Sequence, residues 1–172
     1  MIRKFEACDI GQLMRIWLDG NREAHDFIPR EYWETHASAV REQILQAEVY
    51  VYETDGDVQG FVGMQGDYLA GIFVEEQSQG IGIGKQLLNY VKEIHPALSL
   101  NVYQRNKRAV RFYQREGFSI ISKDVDEDTG EADFTMSWTN GCSPTNKRTW
   151  RPFLRSVRHV LFGLRFQDSS YC

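Results

Sequence analysis

The 172 residues suffice for one domain with a sizeable core and are too few for a large multidomain machine. At 42% hydrophobic, 13% aromatic and 26% charged, the chain is too apolar for intrinsic disorder, and no run approaches the ~18–20 unbroken apolar residues of a membrane span. The net charge of −4 is unevenly placed: residues 1–138 carry −9 and residues 139–172 carry +5, so the body repels nucleic acid whereas the tail alone attracts it.

Met1 to Glu6 lacks the ~7–15-residue apolar stretch of a secretory signal, and Cys8, Cys142 and Cys172 make neither a disulfide framework nor a CxxC pair. A reducing cytoplasm is the expected compartment. Ile2 to Glu6 predicts a first strand. Asp9 is the expected N-cap of a helix whose apolar Ile10, Leu13, Met14 and Trp17 recur at helical spacing until Asp19-Gly20-Asn21. A loop holding His25 follows, and then a second helix with Trp33, Ala37, Val40 and Ile44 on one face. Val49 to Glu53, Val58 to Gln65 and Tyr68 to Val74 read as a three-stranded meander, the first turn marked by Asp55-Gly56. Beyond it come a helix through Leu87, Leu88, Val91 and Ile94 that ends at Pro96, a strand from Leu98 to Val102, a helix from Lys107 to Glu116, and a closing hairpin of Phe118 to Lys123 with Ala132 to Trp138.

Gln79-Gly80-Ile81-Gly82-Ile83-Gly84-Lys85 lies between the apolar strand Leu69 to Val74 and a helix. A strand, a glycine loop and a helix N-terminus together suit pyrophosphate: unpaired amides face the anion, and missing Cβ atoms let the backbone approach. The spacing is not that of a dinucleotide fingerprint, which needs G-x-G-x-x-G, and Gln86 stands where a P-loop has Ser or Thr. Taken alone, the loop also fits a turn that merely packs a helix on a sheet.

The second motif is Asn106-Lys107-Arg108-Ala109-Val110-Arg111-Phe112-Tyr113-Gln114-Arg115-Glu116-Gly117-Phe118, or N-x-x-A-x-x-F-Y-x-x-x-G-F. With the Q-x-x-G-x-G of Gln79 to Gly84, in this order and spacing, the chain resembles the GNAT superfamily of acyl-CoA-dependent N-acyltransferases over residues 1 to about 138. One departure is Gln79, where many members carry Arg. The resemblance implies a mixed α/β domain whose central, mostly antiparallel sheet is flanked by helices and has splayed fourth and fifth strands. It implies that acetyl-CoA is the acyl donor, that Ile72, Phe73 and Val74 pair with its pantetheine amides as an added strand would, and that Gln79, Gly80, Ile81, Gly82, Ile83 and Gly84 wrap its pyrophosphate.

Asn106, at a helix start, is read either as a ligand of a cofactor amide or as the cap of its own helix. Tyr113 matches the family's general acid, which protonates the departing thiolate; a phenol near ~10 and a thiol near ~8.5 make that transfer uphill by about 2 kcal/mol. A lysine-like acceptor near ~10.4 needs ~4.6 kcal/mol to lose its proton at pH 7, and His25 is the candidate base, with Asp26, Asp67, Glu75 and Glu76 as carboxylate alternatives. Arg108, Arg111 and Arg115 share a helix face that suits either solvent or a cofactor phosphate, and no metal site is expected.

Residues 139–172 form a separate extension in which Arg148, Arg151, Arg155, Arg158 and Arg165 make one stripe of a predicted amphipathic helix. The expectation is an appended segment that docks loosely on the acidic body or stays mobile, with an anionic membrane surface, RNA or a second copy of the chain as alternative partners. The expected activity is transfer of acetyl from acetyl-CoA to a primary amine, on a small molecule, a peptide N-terminus or a protein lysine, by direct attack in a ternary complex. Two rivals are an RNA-directed acetyltransferase acting on aminoacyl-tRNA, disfavoured by the acidic body, and a non-catalytic CoA-binding module, disfavoured by the intact Tyr113.

Overall fold

The computed structural model describes residues 1–141, so the predicted amphipathic helix lies outside the described residues. The elements in chain order are β1 (Ile2–Lys4), α1 (Ile10–Ala24), α2 (Arg30–Gln46), β2 (Glu48–Thr54), β3 (Asp57–Gln65), β4 (Tyr68–Val74), α3 (Ile83–Ile94), β5 (Ala97–Tyr103), α4 (Lys107–Arg115), β6 (Ser119–Val125) and β7 (Ala132–Thr139). The seven strands form one sheet in the order β1-β2-β3-β4-β5-β7-β6, antiparallel throughout except for the parallel β4–β5 pair. The β2–β3 turn is Asp55-Gly56, with φ of 54° and 88°, the two positive values that a tight hairpin of this twist demands.

Alternation along the strands divides the core in two. Phe61 and Phe73 turn toward α1 and α2, where Leu13, Trp17, Trp33 and Ile44 are buried, while Val62, Leu98, Leu100 and Met136 turn toward α3 and its Leu87, Leu88 and Val91. Two local expectations give way. Helix α1 continues through Asp19-Gly20-Asn21 to Ala24, because Asn21 is fully buried and donates its amide to the Trp17 carbonyl at 2.9 Å, and Gly20 packs under Phe73. Asp9 does not cap α1; it accepts from the Glu6 amide at 2.9 Å and from both terminal nitrogens of Arg3 at 2.8 and 2.9 Å. That ion pair holds the Asp9 carboxyl below its usual range and ties β1 to the start of α1.

Candidate active site

The parallel strands β4 and β5 meet at a single pair, Tyr68 opposite Ser99, and then diverge. A bulge promotes this: Gly71 pairs with Gly63 and Leu69 with Met64, so Ala70 is an extra residue that twists β4 away from its neighbour. From Leu69 to Val74 the edge of β4 facing β5 therefore carries no ladder. A cleft of about 1530 Å³ occupies the opening, larger than the ~300–1,000 Å³ of ordinary small-molecule pockets.

At the wide end lies the glycine loop. Gly80 and Gly82 have φ of 81° and 91°, and a Cβ built on either meets nothing within 4 Å, so the backbone is both left-handed and open above. Gly82 is the N-cap of α3, and the first intrahelical donor is Gln86, bonded to the Gly82 carbonyl at 3.0 Å; the amides of Ile83, Gly84 and Lys85 remain for an anion. Gly84 lies against Ile72, Val74 and Phe112, where a Cβ would make only ordinary contacts at 3.8–3.9 Å. Gln79 faces inward and donates to the Val74 carbonyl at 3.2 Å and to Glu23 at 3.3 Å, stapling the loop to β4 and α1. The Ile81 side chain is exposed, and Ile83 is buried in the core.

Tyr113, on α4, is buried against Phe112 and Phe118 and lines the cleft. Desolvation, with Tyr68 nearby, pushes its phenol well above the ordinary value, so it keeps its proton throughout the physiological range. Asn106 caps this helix: its Oδ1 accepts from the Ala109 amide at 3.1 Å. The Asn106 amide nitrogen also stands 3.3 Å from His25 Nε2, linking the end of α1 to the start of α4. His25 closes α1 and is buried, stacked on Trp33 at 5.4 Å and edge-on to Tyr103 at 5.2 Å and Phe27 at 5.7 Å. Burial brings its pKa down to about 4, so the ring is neutral at pH 7.

The β5–β7 wall of the cleft is polar in a way the motifs do not reveal. Asn101 pairs with Thr135 and Tyr103 with Asp133 across β5 and β7, so these side chains share one face. The Asn101 amide donates to Asp133 and to Thr135, each at 3.1 Å, and its carbonyl oxygen accepts from the Tyr68 hydroxyl at 3.4 Å. Asp126 accepts from the Tyr103 hydroxyl at 2.6 Å. The alternating Leu98-Ser99-Leu100-Asn101-Val102-Tyr103 was the available signal: one face apolar and buried on α3, the other polar.

Comparison with known proteins accords with this geometry. The model of the acetyltransferase (GNAT) domain matches residues 46–120. The peptidyl-lysine N-acetyltransferase YiaC of Escherichia coli K12 is 38% identical over 140 residues, covering 80% of this chain and 96% of the relative. The chain belongs to the GNAT acetyltransferase family. Another GNAT relative, the peptidyl-lysine N-acetyltransferase YjaB of Salmonella typhimurium, is 30% identical over 70% of this chain and 83% of its own. The solution structure of apo YjaB from E. coli superposes with a TM-score of 0.73 at 25% identity, over 80% of this chain and 96% of that one. The fold is shared also with PaiA N-acetyltransferase of Thermoplasma acidophilum, solved with coenzyme A, at a TM-score of 0.69 and 20% identity over 81% and 98% of the two chains. As a GNAT member the protein is an acyltransferase, and the splayed, mostly antiparallel sheet is the one its sequence resemblance implies.

Within this GNAT fold the cleft gathers Ile72, Phe73, Val74, Gln79, Gly80, Gly82, Ile83, Gly84, Asn106, Tyr113 and His25 into its lining, and the Ile81 side chain stands outside it. Arg108 and Arg115 reach the rim, and Arg111 does not. None of the four carboxylate alternatives lines the cleft: Asp67 is 3.1 Å from His95 and Glu75 is 3.0 Å from Arg15, both on other surfaces, and Asp26 and Glu76 also lie outside. The carboxylates on the β5–β7 side of the cleft are instead Asp124, Asp126, Glu127 and Asp133, contributed by the β6–β7 hairpin. No helix among the described residues is long and apolar enough to cross a membrane.

Proposed function

We propose that this enzyme transfers the acetyl group of acetyl-CoA to the side-chain amine of a peptidyl lysine by direct attack in a ternary complex. The observation that carries the reading is the passage opened where β4 leaves β5, with an anion cradle at one end, Tyr113 on the α4 side and an acidic face on the other. Acetyl-CoA supplies the activated thioester. The unladdered edge of Ile72, Phe73 and Val74 offers amides and carbonyls to an extended chain, and Gly80 to Gly84 offer backbone N–H groups to a pyrophosphate. Burial keeps Tyr113 protonated and makes it a weaker acid than a free phenol, so its proton passes to the sulfur as the C–S bond breaks and negative charge builds there.

His25 fits positioning better than proton removal. With a pKa of about 4 it is a base roughly six units weaker than a lysine amine, and its ring is committed to the aromatic cluster and to Asn106. A lysine acceptor accords with the acidic β5–β7 wall of the cleft and with the peptidyl-lysine acetyltransferases among its relatives. The test is release of free thiol from acetyl-CoA with lysine peptides, peptides bearing only an α-amine, and small amines, with products mapped by mass spectrometry. Modification of lysine side chains is expected. Modification confined to α-amines or small amines would overturn the lysine assignment.

A further inference from the structure

We infer that Asp133 is the group that receives the acceptor's cationic amine, oriented for it by Asn101; this deepens the lysine reading and rests on it. Asp133 sits on β7, the strand that lies on the β5 side of the opening, and is 8% exposed. Its position in the sheet puts it on the same face as Asn101 and Tyr103, opposite the face that carries α3 and α4. An amine entering from this face reaches the thioester carbonyl from the side opposite Tyr113, so that addition of the amine and protonation of the departing sulfur do not compete for the same space. The Asn101 amide fixes one Asp133 oxygen at 3.1 Å, and the Tyr68 hydroxyl fixes Asn101 in turn. The carboxylate is thus set in direction before any acceptor arrives, which lowers the entropy lost on binding.

The surroundings suit a lysine stem. Ala70 and Tyr103, both buried and both lining the cleft, give an apolar wall for four methylenes, and Asp126 and Glu127 lie further along the same hairpin toward solvent. A cation is therefore drawn to the mouth by the more exposed carboxylates and met further in by the one buried carboxylate, Asp133. No bond forms or breaks at Asp133 in this assignment. It selects and places the amine, which must still lose its proton before attack.

The experiment compares wild type, Asp133→Asn and Asp133→Glu, each loaded with coenzyme A, in calorimetric titration with a lysine peptide and with the same peptide carrying norleucine. Wild type is expected to prefer lysine by at least about tenfold, Asp133→Asn to lose that preference, and Asp133→Glu to recover part of it. Coenzyme A affinity and melting temperature should not move, and in turnover the lysine-peptide KM should rise more than kcat falls. Asn101→Ala, which keeps the carboxylate but removes its orienting amide, tests the same idea separately and should cost about fivefold in lysine-peptide affinity. A preference for lysine retained in both Asp133→Asn and Asn101→Ala overturns the assignment and leaves the lysine reading standing. Wild type that binds no lysine peptide and acetylates none overturns both.

Discussion

Acidification should unfold this enzyme through His25. The imidazole is enclosed by Trp33, Tyr103 and Phe27, and its folded-state pKa of about 4 compares with ~6.5 for an unfolded histidine. Above pH 6.5 both states are neutral and the group contributes no pH dependence. Between about 6.5 and about 4 the unfolded chain binds the proton and the folded chain does not, so stability falls as pH falls. The full difference is about 3 kcal/mol, of which about 2.5 is spent by pH 4.5. Carboxylates titrate over the same range, so the contribution of His25 is isolated by difference: urea midpoints of wild type and His25→Phe measured from pH 7.5 to 4.5. The gap between the two should move by about 2.5 kcal/mol in favour of the variant as pH drops. A pH-independent gap would mean that the ring is protonated without penalty and that the aromatic enclosure does not exist in solution.

Other expectations concern the cradle and the chain end. Gly82→Val places a branched side chain in the open space above a residue with φ of 91°; it should weaken acetyl-CoA by tenfold or more and cost about 1–2 kcal/mol of stability, whereas Gly84→Ala, whose Cβ meets only ordinary contacts at 3.8–3.9 Å, should melt like wild type. Calorimetry and thermal melts check both. A chain ending after Gly141 keeps all seven strands, including the Ala97–Thr139 pairing and the Asn140 amide on the Pro96 carbonyl at 3.1 Å; it should fold cooperatively and bind acetyl-CoA with unchanged affinity.

The donor side of the candidate site was legible as a constellation because its motifs are local in sequence. Gly80 to Gly84 and Asn106 to Tyr113 each form one continuous segment whose residue types are dictated by backbone geometry and helix register, so their motifs survive reading in one dimension. The strand elements were legible for the same reason, β4 being the unbroken apolar run between Asp67 and Glu75. The proposed acceptor side was not. Asn101, Asp133 and Tyr68 come from three strands, and β7 reaches β5 only because it inserts between β5 and β6, an ordering that no local pattern encodes. His25 does lie in a loop, as the sequence indicates, but Asn21 turns its amide back onto Trp17 and carries α1 on to Ala24, so that the loop opens with His25 inside the aromatic cluster. A side chain that satisfies the backbone from within a buried helix reverses the usual meaning of a turn-forming residue.

The central claim is that acetyl passes to a lysine in this cleft with Tyr113 as the acid, and a single-turnover comparison tests it most directly. Wild type and Tyr113→Phe, each saturated with acetyl-CoA, are mixed with a lysine peptide, and acetyl-lysine is followed by mass spectrometry. The substitution keeps the ring against Phe112 and Phe118, so acetyl-CoA affinity and folding should be preserved. The rate of acetyl-lysine formation should fall by about 10²–10⁴-fold, and less so with an acyl donor whose thiol is more acidic. Equal rates for the two proteins on the same peptide would contradict the account: Tyr113 would then be a packing residue, and the proton for the leaving sulfur would come from elsewhere.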